Sequence, residues 1–151
     1  MTDNEAKRWP EGFINTGRLM IQLFRAFETR VVEGLQARGF DDVTLAHLSV
    51  LRHLNPEGLR ITCLADDAGV TKQAMGQMVR ELKKRGYVET KPDPEDGRAK
   101  LVVYTPRGLK LIGAAREIVG ECEGEFQQVL GDDSYTEMRE SLTTLLQSFA
   151  E

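Results

Sequence analysis

The residues with the clearest chemistry lie between Thr71 and Lys84, in the stretch TKQAMGQMVRELKK. Lys72, Gln73, Gln77, Arg80 and Lys84 carry long polar side chains, and residues three or four apart share one face of a helix. Met75, Met78, Val79 and Leu82 recur at the same steps and mark the opposite, buried face. The polar face holds no carboxylate. Glutamine pairs bidentately with adenine, arginine with guanine, and lysine neutralises phosphate. Gly76 lacks a side chain and would let the backbone come close to a groove floor. Thr71 is placed to cap the helix, its hydroxyl accepting a backbone N–H of the first turn. This set of residues is suited to reading duplex DNA.

A second cluster lies further along. Pro92-Asp-Pro-Glu-Asp-Gly-Arg98-Ala99 sits between two segments rich in β-branched and aromatic residues, Tyr87–Lys91 and Lys100–Tyr104. That pattern predicts a hairpin with a stiff, projecting loop. Arg98 at its tip is the residue type drawn to a narrow minor groove. Asp96 is placed to hold its guanidinium through a charge-assisted hydrogen bond.

Other reactive types are sparse. Cys63 and Cys122 suggest neither a disulfide framework nor a zinc knuckle. Cys122 falls on an apolar helical stripe and reads as buried filler. His47 and His53 read as polar or capping histidines. A Cys63–histidine pair is the one constellation that resembles a nucleophile, and its members sit on helices that read as scaffold. There is no phosphate-binding glycine loop, nucleophile elbow or metal-ligand cluster. The expectation is a protein with no catalytic residues, no metal and no cofactor.

The formal charge of the chain is −4, which taken alone argues against a nucleic-acid partner. Its distribution reverses that. Residues 71–110 hold ten Lys/Arg and five Asp/Glu, a net of +5, which leaves −9 for the remainder. A basic middle between acidic flanks is what a local phosphate-binding surface requires. No apolar run reaches the ~20 residues of a membrane helix. The first twelve residues lack the pattern of a signal peptide. The expected setting is the cytoplasm, with no membrane partner.

These side chains need elements to hold them. Leu64, Ala65 and Ala68 give a short helix before Gly69, where a sharp turn requires positive φ. Val70 is expected to pack the corner and Thr62 to cap the short helix. Helix, glycine turn and polar helix make a helix-turn-helix, and the hairpin that follows makes it winged. Upstream, residues 1–11 read as a loose arm that Trp9-Pro10 could dock. Phe13 to Arg38 is a long amphipathic helix carrying Met20, Phe24, Phe27, Val31 and Leu35. Thr44 caps a second helix with Leu45, Leu48, Leu51 and Leu54 on one face. Leu59–Ile61 could add a short strand. Downstream, Thr105-Pro106 opens a helix whose seam is Ile112, Ala115, Val119, Cys122, Phe126 and Val129. Ser134 and Glu137 read as a capping box for a last helix bearing Met138, Leu142, Leu145 and Phe149. Two copies paired through the first and last helices, with Phe13, Ile14, Leu142, Leu145 and Phe149 in the seam, would bury this apolar surface.

The order of elements resembles the MarR family of bacterial transcription regulators over nearly the whole chain. The residues that carry the resemblance are Asp93-Pro-Glu-Asp96-Gly-Arg98 and Tyr104-Thr105-Pro-Arg-Gly108, similar to the family's wing signature. Leu64-Ala65, Gly69-Val70-Thr71, Leu82 and Arg85-Gly86-Tyr87-Val88 match as well. Tyr104 stands where the family usually has leucine. The resemblance implies a mainly α fold with a small β-hairpin wing. A winged helix-turn-helix lobe would span residues 44–105, and a helical dimerisation lobe residues 12–40 and 106–151. It implies a homodimer that places two recognition helices in successive major grooves of a pseudo-palindromic operator and two wings in minor grooves. Repression relieved by a phenolic or anionic small molecule is the usual mode. Peroxide sensing through a first-helix cysteine does not fit, since this chain has none there. The alternatives are a winged helix used only for protein–protein contact and, more remotely, an enzyme.

Overall fold

A computed structural model describes residues 15–150. Trp9, Pro10, Phe13 and Ile14 lie outside the described residues. Six helices surround a small three-stranded sheet: α1 (Thr16–Ala37), α2 (Leu45–His53), β1 (Leu59–Arg60), α3 (Ile61–Ala68), α4 (Lys72–Lys84), β2 (Val88–Asp93), β3 (Asp96–Tyr104), α5 (Pro106–Leu130) and α6 (Asp132–Phe149).

The core gathers Val31, Leu35, Val50, Leu64, Met75, Leu82, Val88, Val102 and Leu111 with Tyr87 from the α4–β2 junction; Leu59 of β1 packs against it partly buried, and α6 buries no residue. It therefore ties α1 and α5 to the helix-turn-helix in one body. Gly34 lets α1 and α5 pack closely, since a Cβ there would stand 2.9 Å from the Ile118 side chain. The sheet is antiparallel in the order β1-β3-β2. Asp93 pairs with Asp96, so the hairpin closes through Pro94 and Glu95 alone. The expected eight-residue loop is thus mostly strand, because backbone pairing satisfies the donors that a projecting loop would leave to water.

Several local expectations need correction. α3 begins one residue before Thr62, with Arg60 at the cap and no side-chain cap bond. Val70 is exposed at the corner, although its N–H still bonds the Ala65 carbonyl at 3.0 Å. Leu45 is exposed, and Val50 takes the buried place instead. α6 starts at Asp132 with Gly131 at its cap, so Ser134 lies inside the helix and forms no capping box with Glu137. On α5 the inward positions are Leu111, Ile118 and Cys122, while Val129 stands 84 % exposed. The 3–4 spacing of a 25-residue amphipathic helix fits two adjacent stripes, and here the more central one faces α1.

Thr105 caps α5 as expected, its Oγ1 accepting from Gly108 N–H at 3.1 Å. The same hydroxyl sits 2.6 Å from the Gly86 carbonyl and donates there. Pro106 follows at the first helical position. The start of α5 is thereby bonded to the junction of α4 and β2, which ties this helix to the winged helix-turn-helix.

Candidate nucleic-acid interface

The turn before α4 forms as its sequence dictates. Gly69 adopts φ +64°, ψ +31°, a left-handed conformation that glycine takes without steric cost, and closes α3. Thr71 then caps α4, its hydroxyl accepting the Ala74 N–H at 3.1 Å. Met75, Val79 and Leu82 are buried and fix the inner face of α4, with Met78 partly buried beside them. The opposite face is open: Lys72, Gln73, Gln77, Arg80 and Lys84 are all exposed. Lys72 and Gln73, in the first turn, engage no side-chain hydrogen bond or ion pair among the described residues. They are presented free to a partner.

Gln77 and Arg80 are instead held in place. The Arg80 guanidinium donates to Gln77 Oε1 at 2.8 Å, and Gln77 Nε2 donates to Glu81 Oε1 at 3.1 Å. A carboxylate therefore borders the polar face that the sequence suggested was free of them. Gly76 is buried, not open to a groove, since Arg80 folds over it and a Cβ there would lie 3.4 Å from the Arg80 NH1.

Glu81 is the centre of a network that sequence reading did not reveal. Its Oε2 lies 3.0 Å from His47 Nε2 and 3.3 Å from Arg85 NH1. His47 is only 1 % exposed. Its Nδ1 accepts the Thr44 backbone N–H at 3.1 Å, the returning bond of a capping box on α2. The Thr44 N–H can only donate, so Nδ1 accepts and Nε2 carries a proton aimed at Glu81; Arg85 NH1 lies 2.9 Å from the same Nε2 and, finding no acceptor there, donates to Glu81. The hydrogen bonds from His47, Gln77 and Arg85 hold the Glu81 carboxyl at about 2, well below the usual carboxylate value. The signals were in the chain: His47 is three residues after the cap Thr44, and Glu81 is four residues from both Gln77 and Arg85. The 34-residue separation of His47 from Glu81 hid their meeting.

At the wing, Arg98 is exposed, and among the described residues its guanidinium has no ion pair or hydrogen bond. Asp96 does not hold it; its Oδ1 accepts the Arg98 backbone N–H at 3.1 Å. Both residues lie at the start of β3, past the Pro94-Glu95 turn, so Arg98 stands on the strand and not at the expected tip, its guanidinium left free. The charge-assisted pair of the wing is Arg60 with Asp93. Arg60 Nε donates to Asp93 Oδ2 at 2.7 Å, and Asp93 Oδ1 accepts the Glu95 N–H at 2.9 Å. The Glu95 N–H first, and then Arg60, lower the Asp93 carboxyl below its ordinary value. β1 is thus joined to the hairpin by an ion pair as well as by its ladder.

The other reactive residues are placed as structure. Cys122 is buried, and burial pushes its thiol up. Cys63 is exposed, and His47 is committed to Thr44 and Glu81. Among the described residues no group of three His, Cys, Asp or Glu side chains could hold a metal ion, and no helix is long and apolar enough to cross a membrane.

A capped helix, a glycine turn and a two-residue-tipped wing make up the candidate site. A sequence model of the MarR family matches residues 41–99. An HTH-type transcriptional regulator of Mycobacterium leprae (strain TN), itself uncharacterised, is 31 % identical over 106 residues, covering 70 % of this chain and 74 % of the relative. The chain belongs to the MarR family. The transcriptional regulator HosA of Escherichia coli O111:H- is 29 % identical over 97 residues, 58 % of this chain and 72 % of HosA. Among solved structures, wild-type apo MarR from E. coli superposes with a TM-score of 0.72 at 25 % identity, over 88 % of this chain and 97 % of that one. CouR from Rhodococcus jostii RHA1, bound to p-coumaroyl-CoA, superposes with a TM-score of 0.68 at 26 % identity, over 87 % and 91 %. The protein is a MarR-family transcriptional regulator with a winged helix-turn-helix.

Proposed function

We propose that this MarR-family regulator represses transcription by gripping a pseudo-palindromic operator as a homodimer, α4 in the major groove and the wing in the minor groove. The observation that carries the reading is the N-terminal turn of α4. There Lys72 and Gln73 stand exposed and uncommitted while the other face is locked in the core. N-terminal residues of a recognition helix are the ones that meet base edges in this docking mode. Thr71, Lys72 and Arg80 are assigned to phosphate, Gln73 and Gln77 to base edges, and Arg98 to the minor groove. Asp96 holds the Arg98 backbone at the start of β3. Gly76 supports the Arg80 guanidinium.

The dimer is supported by surface left uncovered. α6 buries no residue, and Leu142, Leu145, Leu146 and Phe149 are 39 %, 46 %, 73 % and 89 % exposed. Leu19, Ile21, Leu23 and Phe24 of α1 are about as open. Leu23, Phe126, Val129 and Met138 line one shared hollow between α1, α5 and α6. Apolar surface this continuous marks an interaction face. Residues 15–40 and 106–150 would then form the pairing lobe and residues 44–105 the DNA lobe.

An effector would enter the hollow of about 450 Å³ between α2, the end of β3 and α5. Leu54, Tyr104, Ile112 and Val119 give it an apolar wall, Arg116 adds a cation, and Arg52 adds a second that is paired with Glu28. That lining suits an aromatic body with an anionic group. Such a ligand would derepress by binding one spacing of the recognition helices better than another. Selection of bound duplexes from a randomised library tests the proposal. It should yield inverted half-sites about 10 bp apart centre to centre. Recovery of no common sequence would refute it.

A further inference from the structure

The network around Glu81 bears on how Gln77 is aimed, and we infer that Glu81, anchored by buried His47 and by Arg85, is a positioning residue that fixes the polarity of the Gln77 amide for base readout. The inference rests on the DNA-binding reading above. A glutamine amide is ambiguous by itself, since its oxygen and nitrogen ends can exchange by a rotation of the side chain. Here both neighbours have fixed roles. Arg80 can only donate, and it meets Oε1 at 2.8 Å. Ionised Glu81 can only accept, and it meets Nε2 at 3.1 Å. The amide is therefore held with its oxygen toward Arg80 and its nitrogen toward Glu81. One N–H and one oxygen lone pair remain, which is the pair that an adenine edge takes.

Glu81 could not set this polarity if it swung freely. Its second oxygen is held from the inner side by His47 Nε2 at 3.0 Å and by Arg85 NH1 at 3.3 Å. His47 is in turn fixed by the Thr44 N–H. The titratable and charged groups that meet this carboxylate are thus His47 of α2, Arg85 at the α4 C-cap, and Arg80 through Gln77. The chain of contacts runs from the α2 N-terminus to the centre of the α4 outer face. Glu81 also sets a negative charge near the phosphate path, which weakens sequence-independent binding and so widens the gap between right and wrong sites.

The test is a double-mutant cycle on DNA binding. Wild type, Glu81→Ala, Gln77→Ala and the double variant are titrated with a duplex selected from a random library and with its scrambled counterpart. Glu81→Ala should lower the ratio of selected to scrambled affinity about five- to tenfold, within the range that one bidentate base contact supplies. Its affinity for the scrambled duplex should hold or rise, because a carboxylate is gone. The double variant should lose no more than Gln77→Ala alone, as coupled residues do. His47→Gln keeps a Thr-x-x-Gln capping box and loses the anchor, so its melting temperature should hold while the ratio falls. If His47→Gln does not fold, the surface variant Glu81→Ala carries the test alone. An unchanged ratio in Glu81→Ala, equal loss on both duplexes, or additive losses in the cycle would overturn the inference while leaving DNA binding intact. A wild type that binds neither duplex would overturn both.

Discussion

Gly108 offers the sharpest test of how α5 is joined to the winged helix-turn-helix. A Cβ on it would lie 2.0 Å from the Tyr87 carbonyl oxygen and 3.1 Å from the Tyr104 ring. The nearest atom is backbone, so alanine forces a displacement of about 1 Å, and a core resists such overpacking at a cost of about 1–3 kcal/mol. The Tyr87 oxygen also accepts from the Thr105 N–H at 3.1 Å. Loss of that bond adds about 1–2 kcal/mol. Gly108→Ala should therefore destabilise by about 2–5 kcal/mol, which for a chain of this size lowers the melting temperature by roughly 5–20 °C. Gly113 is the control, about one and a half turns along the same helix, where a Cβ meets nothing within 4 Å. Gly113→Ala should raise stability by about 0.5–1 kcal/mol through helix propensity alone. Both are read by calorimetry at matched protein concentration, because the proposed pairing would make the midpoint concentration-dependent. Equal melting of Gly108→Ala and wild type, or equal damage at Gly113, would refute the packing argument.

Arg98→Ala should weaken binding to a selected duplex by about 1–3 kcal/mol with an unchanged melting temperature, as a gel shift and a melt will show together. Leu142→Glu with Leu146→Glu should convert the protein from dimer to monomer in sedimentation, and a stable dimer would place the pairing face elsewhere. Acid sensitivity follows from Glu81. Its folded carboxyl titrates at about 2 against an ordinary 4.5, so its contribution is complete above pH 4.5 and is lost as pH falls toward 2. Urea titrations of Glu81→Gln should therefore show a shallower loss of stability across that window than wild type.

The helices and the hairpin were legible because their signals are local. Glycine at a left-handed corner, threonine before a polar helix and threonine–proline before α5 each act within four residues. Misplaced details came from competition between neighbours. Thr62 and Ser134 are good caps, but each helix began earlier than its cap candidate. Val129 keeps the seam spacing yet stands 84 % exposed beside Leu23, at the open hollow between α1, α5 and α6 that nothing among the described residues fills. What stayed hidden was long-range. Asp96 was the visible partner for Arg98, two residues away, while the ion pair that forms joins Arg60 to Asp93 across the sheet. The His47–Glu81 contact likewise needs the packing of α2 on α4, which no periodicity encodes.

The central claim is that the open face of α4 holds duplex DNA through phosphate as well as bases. Its most direct test is the salt dependence of binding to a selected duplex, with wild type and Lys72→Ala titrated side by side. Each neutralised phosphate contributes about −0.9 to the slope of log affinity against log salt. Wild type should show a steep negative slope, and Lys72→Ala a slope shallower by roughly two, one phosphate contact in each half-site. Binding indifferent to salt, or an identical slope in Lys72→Ala, would contradict the account.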